Sequence, residues 1–164
     1  MKTIYLAGGC FWGVEAYFQM LKGVRKTEVG YANGNTKNPK YEDLKKGIAT
    51  HAETVKIEYD ENIISLEKLL EHFLRFVDPY SVDKQAEDVG HQYRSGVYGD
   101  KADIIKAKAY FDKVLKDNYK IELLELVNYY KAEEYHQDYL TKNPKGYCHV
   151  NLGLIKDEEK ETIN

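Results

Sequence analysis

The sequence has few cysteines, no long apolar run and no dense basic patch, and each shortage excludes a class of protein. Two cysteines in 164 residues are too few for the disulfide scaffold of a small secreted domain. The first residues hold one lysine and a short apolar stretch, which predicts neither a signal peptide nor a transmembrane span. A formal net charge of -3 without clustered Lys or Arg argues against nucleic acid as the main partner. We therefore expect a cytoplasmic protein that binds neither nucleic acid nor membrane.

Potential metal ligands are also scarce and poorly spaced. Cys10 and Cys148 lie far apart, no C-x-x-C motif is present, and the five histidines show no H-x-x-x-H spacing. We therefore expect no metal ion and no bound cofactor. In a reducing compartment both thiols should be free at rest unless they work as a redox pair.

The chain does contain alternating strand and helix patterns over a length suited to one domain, 1–164. Apolar residues at strand or helical spacing predict strands at about 3–7, 24–31, 52–59, 96–98 and 121–126. Helices are predicted at about 12–21, 65–77, 100–118 and 132–140, the second of them capped by Ser65. This alternation predicts an α/β (α+β) fold, a two-layer ferredoxin-like sandwich of split βαβ units.

Two other segments lack clear periodicity. Residues 78–92 form a long irregular stretch, and inside a compact domain such a stretch is more often functional than idle. The C-terminal segment from about 141 to 164 is also expected to be irregular, and its charged run 156–161 to be a solvated, frayed end.

The stretch GGCFWG at 8–13 places Cys10 where a strand turns into a helix. Unpaired N–H groups and the positive end of the dipole at a helix N-terminus stabilise a thiolate, which is the reactive form of cysteine. A lone free cysteine is usually a small buried apolar residue. The glycine-framed turn instead favours an accessible nucleophile, and the adjacent Phe11 and Trp12 could form a wall for an apolar ligand group.

A second candidate is a glutamate at the start of the 52–59 strand. Glu53 shares a strand face with Val55 and Ile57, so its side chain should enter the apolar side of the sheet. A buried carboxyl can stay protonated and is then suited to act as a general acid. The alternative is a glutamate at the rim of the sheet, paired or hydrated.

Six stretches together make the sequence similar to the A-type peptide methionine sulfoxide reductases. They occur in the family's order and run through most of the chain: GGCFWG at 8–13, NPKY at 38–41, HAE at 51–53, DVGHQYRS at 88–95, YHQDYL at 135–140 and NPKGYC at 143–148. The resemblance implies that the whole chain is a single catalytic domain. It also implies reduction of methionine-S-sulfoxide, free or in oxidised proteins, to methionine.

The resemblance further implies a role for each residue that meets the sulfoxide group. Cys10 attacks the sulfur, and Glu53 gives a proton to the oxygen. The hydroxyls of Tyr41 and Tyr93 hydrogen-bond that same oxygen. The implied first product on the enzyme is a sulfenic acid on Cys10, a species that condenses readily with a second thiol.

The remaining implied roles concern binding and recycling. Phe11 and Trp12 form the methyl pocket, and Asp88 binds the substrate side through water. Cys148 resolves the sulfenic acid as an intramolecular disulfide with Cys10, which thioredoxin reduces by thiol exchange. Some relatives carry a third cysteine that passes the disulfide outward, but none follows Cys148 here, so that relay is ruled out.

Two other classes of function fit parts of the pattern. A cysteine hydrolase or acyltransferase would use Cys10 as nucleophile with a histidine base, for which the candidates are His51, His91 and His136. A non-enzymatic α/β binding module would use Phe11 and Trp12 as an aromatic anchor. The binding module leaves both thiols without a role.

Overall fold

A six-stranded sheet organises the fold in a computed structural model, which describes residues 1–161. The strands are β1 (Lys2–Ala7), β2 (Val24–Ala32), β3 (Ala52–Tyr59), β4 (Lys84–Gln85), β5 (Asp88–Val89), β6 (Gly96–Gly99), β7 (Glu122–Glu125) and β8 (Tyr129–Lys131). The helices are α1 (Phe11–Gln19), α2 (Tyr41–Lys45), α3 (Leu66–Phe76), α4 (Lys101–Val114) and α5 (Tyr139–Lys142). In the described part of the chain, no helix has the length and apolar character needed to cross a membrane.

The strand order confirms the predicted arrangement. The sheet runs β7-β6-β1-β3-β2-β8, while β4 and β5 pair only with each other. Because β3 lies antiparallel between β1 and β2, and β1 lies antiparallel between β3 and β6, β1-α1-β2 and β3-α3-β6 are two interlocked split βαβ units. Buried residues of both helices join one core with the facing strand residues, among them Ile4, Leu6, Val14, Phe18, Val55, Ile57, Leu69 and Phe73.

The predicted cap of α3 is present. The Ser65 hydroxyl accepts a hydrogen bond from the Lys68 backbone N–H at 3.0 Å, which satisfies one of the free donors at the helix start. One side of the helix is buried, and the chain turns extended at Val77, just ahead of the Asp78–Pro79 pair.

The structure corrects two predicted helices and adds several short elements that the sequence did not predict. The helix predicted to reach 118 ends at Val114, because Leu115 is already extended. The helix predicted over 132–140 is wrong: a short 3-10 turn and α5 replace it, separated by Asp138 in the left-handed region at φ 52°. β4, β5, β8 and α2 were not predicted, since each is too short to produce a clear period.

Residues 156–161 are mostly exposed, as predicted, but the prediction that this end is frayed is wrong. Both carboxylate oxygens of Glu159 accept hydrogen bonds from Arg75, at 2.7 and 2.8 Å. The His72 ring lies 3.5 Å from the same carboxylate and hydrogen-bonds the Tyr17 hydroxyl at 2.7 Å. We call these four residues the C-terminal clasp. It ties the charged run to α1 and α3 through partners more than 80 positions away, which local sequence patterns do not report.

Candidate active site

The antiparallel register brings residues distant in sequence to one end of the sheet. Leu6 near the end of β1 pairs with Val55, so Glu53 lies alongside the glycine turn that follows β1. Ala7 pairs with Gly96, the first residue of β6. The same sheet end therefore collects the ends of β1 and β2 and the starts of β3 and β6. We call it the Cys10 end.

Cys10 lies where β1 turns into α1, as the sequence predicts, and in the described structure it occupies the N-cap position without a side-chain capping hydrogen bond. Gly9 makes the turn possible, because its φ of +92° lies in the left-handed region that favours glycine. The backbone N–H of Phe11, in the first turn, donates to Oε1 of Glu53 at 3.3 Å. The expectation of an accessible thiol is corrected, however, because Cys10 is only 8% exposed.

The electrostatic surroundings of Cys10 also differ from the prediction. Burial, and next the charge of Glu53, raise the pKa of the Cys10 thiol well above its usual range. The Trp12 backbone N–H at the helix start lowers the pKa but does not offset these effects. At rest Cys10 is therefore a protonated thiol, because the helix N-terminus does not outweigh desolvation.

Glu53 is a neutral acid in this environment. Its side chain lies in the interior, with the residue 1% exposed. Burial raises its pKa to about 8, the Phe11 N–H opposes this rise, and nearby Asp88 adds to it. Within residues 1–161 its second oxygen, Oε2, has no hydrogen-bond partner. The carboxyl group thus carries a proton at neutral pH and has one oxygen free for another molecule.

Tyr41 and Tyr93 lie at the same end of the sheet. Burial, and next the charge of Glu53, raise the pKa of Tyr41 to about 12 and raise that of Tyr93 further. Both hydroxyls therefore remain protonated and can donate hydrogen bonds. Glu133 holds the start of α2, because its carboxylate accepts from the Tyr41 backbone N–H at 3.1 Å and from the Tyr31 hydroxyl at 2.8 Å. No motif in the sequence pointed to Glu133.

The two aromatic residues after Cys10 occupy different environments. Phe11 is buried, with its ring centroid 5.8 Å from that of Tyr31 and 5.1 Å from that of His136. Trp12 is half-buried, stacks on Tyr139 at 3.7 Å and donates from Nε1 to Nδ1 of His136 at 3.0 Å. Trp12 thus offers a rigid apolar surface, and Phe11 packs behind the turn.

The C-terminal segment brings the second cysteine to the first turn of α1. A Cβ atom added at Gly13 would lie 3.1 Å from Sγ of Cys148, so the absence of a side chain there lets the two segments meet. Both cysteines are free, and Cys148 is close enough to act on the pKa of Cys10. Asp88 joins this region, because it accepts a hydrogen bond from the Tyr147 hydroxyl at 3.2 Å.

The histidines proposed as hydrolase bases are not arranged for that chemistry. Among the described residues, no histidine hydrogen-bonds the Cys10 thiol. His51 is fully buried beside Gly34, and His91 is exposed and pairs with Asp83 at 3.0 Å. The histidine that does contact the glycine turn is His149, which follows Cys148 and was not singled out in the sequence.

Comparisons with known proteins agree on one family. A family model described as peptide methionine sulfoxide reductase matches residues 2–164. The chain is 53% identical over 156 residues to the peptide methionine sulfoxide reductase MsrA of Clostridium perfringens, covering 93% of this chain and 99% of that one. Its fold is similar to that of Mxr1 from Saccharomyces cerevisiae in reduced form, with a TM-score of 0.81, 36% identity and coverage of 90% and 88% of the two chains. Mxr1 in complex with Trx2 matches with a TM-score of 0.56 and 26% identity over 84% of each chain.

Proposed function

Because the chain belongs to the peptide methionine sulfoxide reductase family, we propose that Cys10 is its nucleophile and that Glu53 supplies the proton. The protein is a thiol-dependent oxidoreductase that reduces methionine sulfoxide to methionine. The observation that carries the residue assignment is the hydrogen bond from the Phe11 N–H to Glu53, which fixes a neutral carboxyl group beside the Cys10 turn.

In the first step the sulfoxide methyl group packs on Trp12, and the oxygen meets the hydroxyls of Tyr41 and Tyr93. Oε2 of Glu53 has no hydrogen-bond partner in the described structure, and this supports a contact between Glu53 and the sulfoxide oxygen. Glu53 gives its proton to the oxygen and takes the thiol proton of Cys10 as the sulfur attacks. Two negative charges are thus never buried together, which fits the raised pKa values of both groups.

Methionine then leaves, and Cys10 carries the oxygen as a sulfenic acid. Cys148 attacks this sulfur and forms a disulfide, and its contact with the first turn of α1 supports that role. Thioredoxin then reduces the disulfide by thiol exchange. The complex of Mxr1 with Trx2 supports thioredoxin as the reductant.

In this proposal the whole chain acts as one catalytic domain, and the segment from about 141 onward delivers the resolving cysteine. Asp88 binds the substrate through water, and Phe11 supports the methyl pocket from behind. We place the cycle in the cytoplasm, where thioredoxin and glutathione keep free thiols reduced.

The experiment that tests this function is consumption of separated S and R methionine sulfoxide diastereomers with a dithiol reductant. We expect loss of the S form only, abolished in Cys10→Ser. A Cys148→Ser variant should still release one methionine per enzyme but should not turn over with thioredoxin. If the unaltered protein consumes neither the S nor the R diastereomer, the proposal is contradicted.

A further inference from the structure

His149 is buried, and its hydrogen bonding fixes which ring nitrogen carries the proton. Its side chain is 1% exposed, and Nε2 lies 2.9 Å from the carbonyl oxygen of Gly8. A carbonyl oxygen can only accept a hydrogen bond, so Nε2 must be the N–H of the neutral ring. The other nitrogen, Nδ1, is then a bare lone pair and a base.

That lone pair lies near the resolving cysteine, whose thiol donates at rest to the carbonyl oxygen of Val150 at 3.1 Å. Nδ1 has no hydrogen-bond partner within residues 1–161, although it is buried. A Cβ atom placed on Gly13 would lie 3.1 Å from Sγ of Cys148 and 3.3 Å from Nδ1 of His149. The thiol and the base therefore both lie against Gly13, in the first turn of α1 that follows Cys10.

Asp88 completes the arrangement. Its Oδ2 lies 3.8 Å from Nδ1, and two acceptors facing each other gain nothing from that approach. A proton placed on Nδ1 would change the contact into a charge-assisted one between imidazolium and carboxylate. The pair is thus arranged for a state in which His149 has received a proton.

We propose that His149 accepts the thiol proton of Cys148 in the resolving step. The inference rests on the proposed function, because it needs a sulfenic acid on Cys10. The S–S bond forms between the two cysteines while the S–O bond of the sulfenic acid breaks. The Cys148 sulfur is oxidised and the Cys10 sulfur is reduced. The thiol turns from the Val150 carbonyl to Nδ1, and its proton moves to Nδ1 and then to the leaving hydroxide, which departs as water.

The other groups around the ring are compatible with this role. Burial lowers the pKa of His149, while the Gly8 carbonyl and the Asp88 carboxylate oppose that shift. The imidazole is therefore neutral at pH 7 and able to accept a proton. From the β3 side Glu53 is itself protonated at that pH. The Tyr147 hydroxyl bonds the Asp88 oxygen that faces the ring, which holds this carboxylate in place.

The test is a single-turnover experiment on His149→Gln with methionine-S-sulfoxide, followed by rapid quench. Glutamine keeps an N–H donor for the Gly8 carbonyl but cannot act as a base near neutral pH. Methionine release should be unchanged, and disulfide formation should be about 100-fold slower at pH 7. The difference should shrink toward pH 10, because hydroxide then removes the thiol proton without help.

His72→Gln is the matched control, since it removes another buried histidine that lies in the C-terminal clasp. Its rates of methionine release and of disulfide formation should equal those of the unaltered enzyme. A uniform slowing of His149→Gln at every pH, or no slowing, would overturn the inference. If His149→Gln loses methionine release, His149→Asn is measured in the same way. Loss of methionine release in both variants would show that His149 is needed for the structure and would overturn the inference. Absence of methionine release from the unaltered protein would instead contradict the proposed function.

Discussion

The Cys10 end and the C-terminal clasp both bury polar groups, but the clasp pairs its groups whereas, in the described part of the chain, the Cys10 end leaves several buried atoms unpaired. In the clasp, Arg75 holds both oxygens of Glu159, and the Tyr17 hydroxyl bonds His72. At the Cys10 end lie all six buried side-chain nitrogen and oxygen atoms that have no hydrogen-bond partner within residues 1–161. These atoms belong to His51, Glu53, Ser95, His136 and His149.

The contrast separates groups that stabilise the fold from groups that are available for chemistry. An unpaired buried polar atom costs about 1–3 kcal/mol, so such atoms accumulate where binding or reaction can use them. Two glutamates illustrate the difference. Burial raises the pKa of Glu53 to about 8, whereas hydrogen bonds from Arg75 hold the pKa of Glu159 far below its usual range. The same residue type is an acid in one region and a structural anion in the other.

The largest expected effect comes from Glu53→Gln. The first step should slow by about 10²–10⁴-fold, because the amide cannot donate a proton to the sulfoxide oxygen. The free energy of unfolding should not fall, since the change removes an ionisable group from the interior. Methionine release in a single turnover and urea unfolding measure the two quantities.

Glu15→Gln is the matched control for Glu53→Gln. Glu15 is also a buried glutamate, but both of its oxygens are occupied, by the Asp138 N–H at 2.8 Å and the Thr27 hydroxyl at 3.0 Å. Its loss should lower the free energy of unfolding by about 1–3 kcal/mol with a much smaller effect on the first step. Similar activity losses in the two variants would break the comparison between paired and unpaired groups.

The pH dependence should distinguish Glu53 from Glu159. Since the first step needs protonated Glu53, its rate should fall about tenfold per pH unit above pH 8. The folded pKa of Glu53 exceeds the unfolded value of about 4.3, so its contribution to stability is complete below pH 4.3 and is lost as the pH rises to 8. The folded pKa of Glu159 is lowered, so its contribution is present above about pH 4.3 and is lost as the pH falls.

Urea unfolding from pH 3 to 9 checks both signs. Relative to the unaltered protein, Glu53→Gln should gain stability as the pH rises from 5 to 8. The deficit of Glu159→Gln should shrink below pH 4. Parallel curves for the two variants would show that the two carboxyl groups do not differ in protonation.

Breaking the C-terminal clasp should lower the free energy of unfolding without changing the rate of methionine release. Glu159→Gln should lower the free energy of unfolding by about 2 kcal/mol, because a charge-assisted pair with Arg75 is lost. Lys108→Gln is the control, since it removes an exposed ion pair with Asp112 that contributes about 0.5 kcal/mol or less. A fall in methionine release that follows the loss of stability would show that the clasp also supports the Cys10 end.

The smallest effect is expected from Gly13→Ala. The added Cβ would lie 3.1 Å from both Sγ of Cys148 and Cγ2 of Val150, which displaces the resolving segment slightly. Alanine also favours the helix by about 1 kcal/mol, which offsets the contact in thermal unfolding. Disulfide formation should slow several-fold with methionine release unchanged. Gly13→Ser should slow disulfide formation more. An equal slowing of methionine release and disulfide formation would contradict the expectation that Gly13 matters only for the approach of Cys148.

Local patterns in the sequence determined much of this protein. The strand, glycine turn and helix around Cys10, the Ser65 cap and the buried face of Glu53 all follow from residues within a few positions of one another. The order of the central strands could also be predicted, since alternating elements leave few ways to pack. β8, α2 and the clasp could not, because each depends on partners far along the chain.

The tertiary structure decided the protonation states. Cys10 at a helix N-terminus suggested a thiolate, but burial and the carboxyl group 43 positions away make it a thiol. Glu133 contacts Tyr41 and Tyr31 across 92 and 102 positions, and His149 reaches the Gly8 carbonyl across 141 positions, so both gain these contacts only in the folded chain. Sequence spacing reports which side of an element is apolar. The pKa of a buried group depends on water removed and charges gathered by the whole fold.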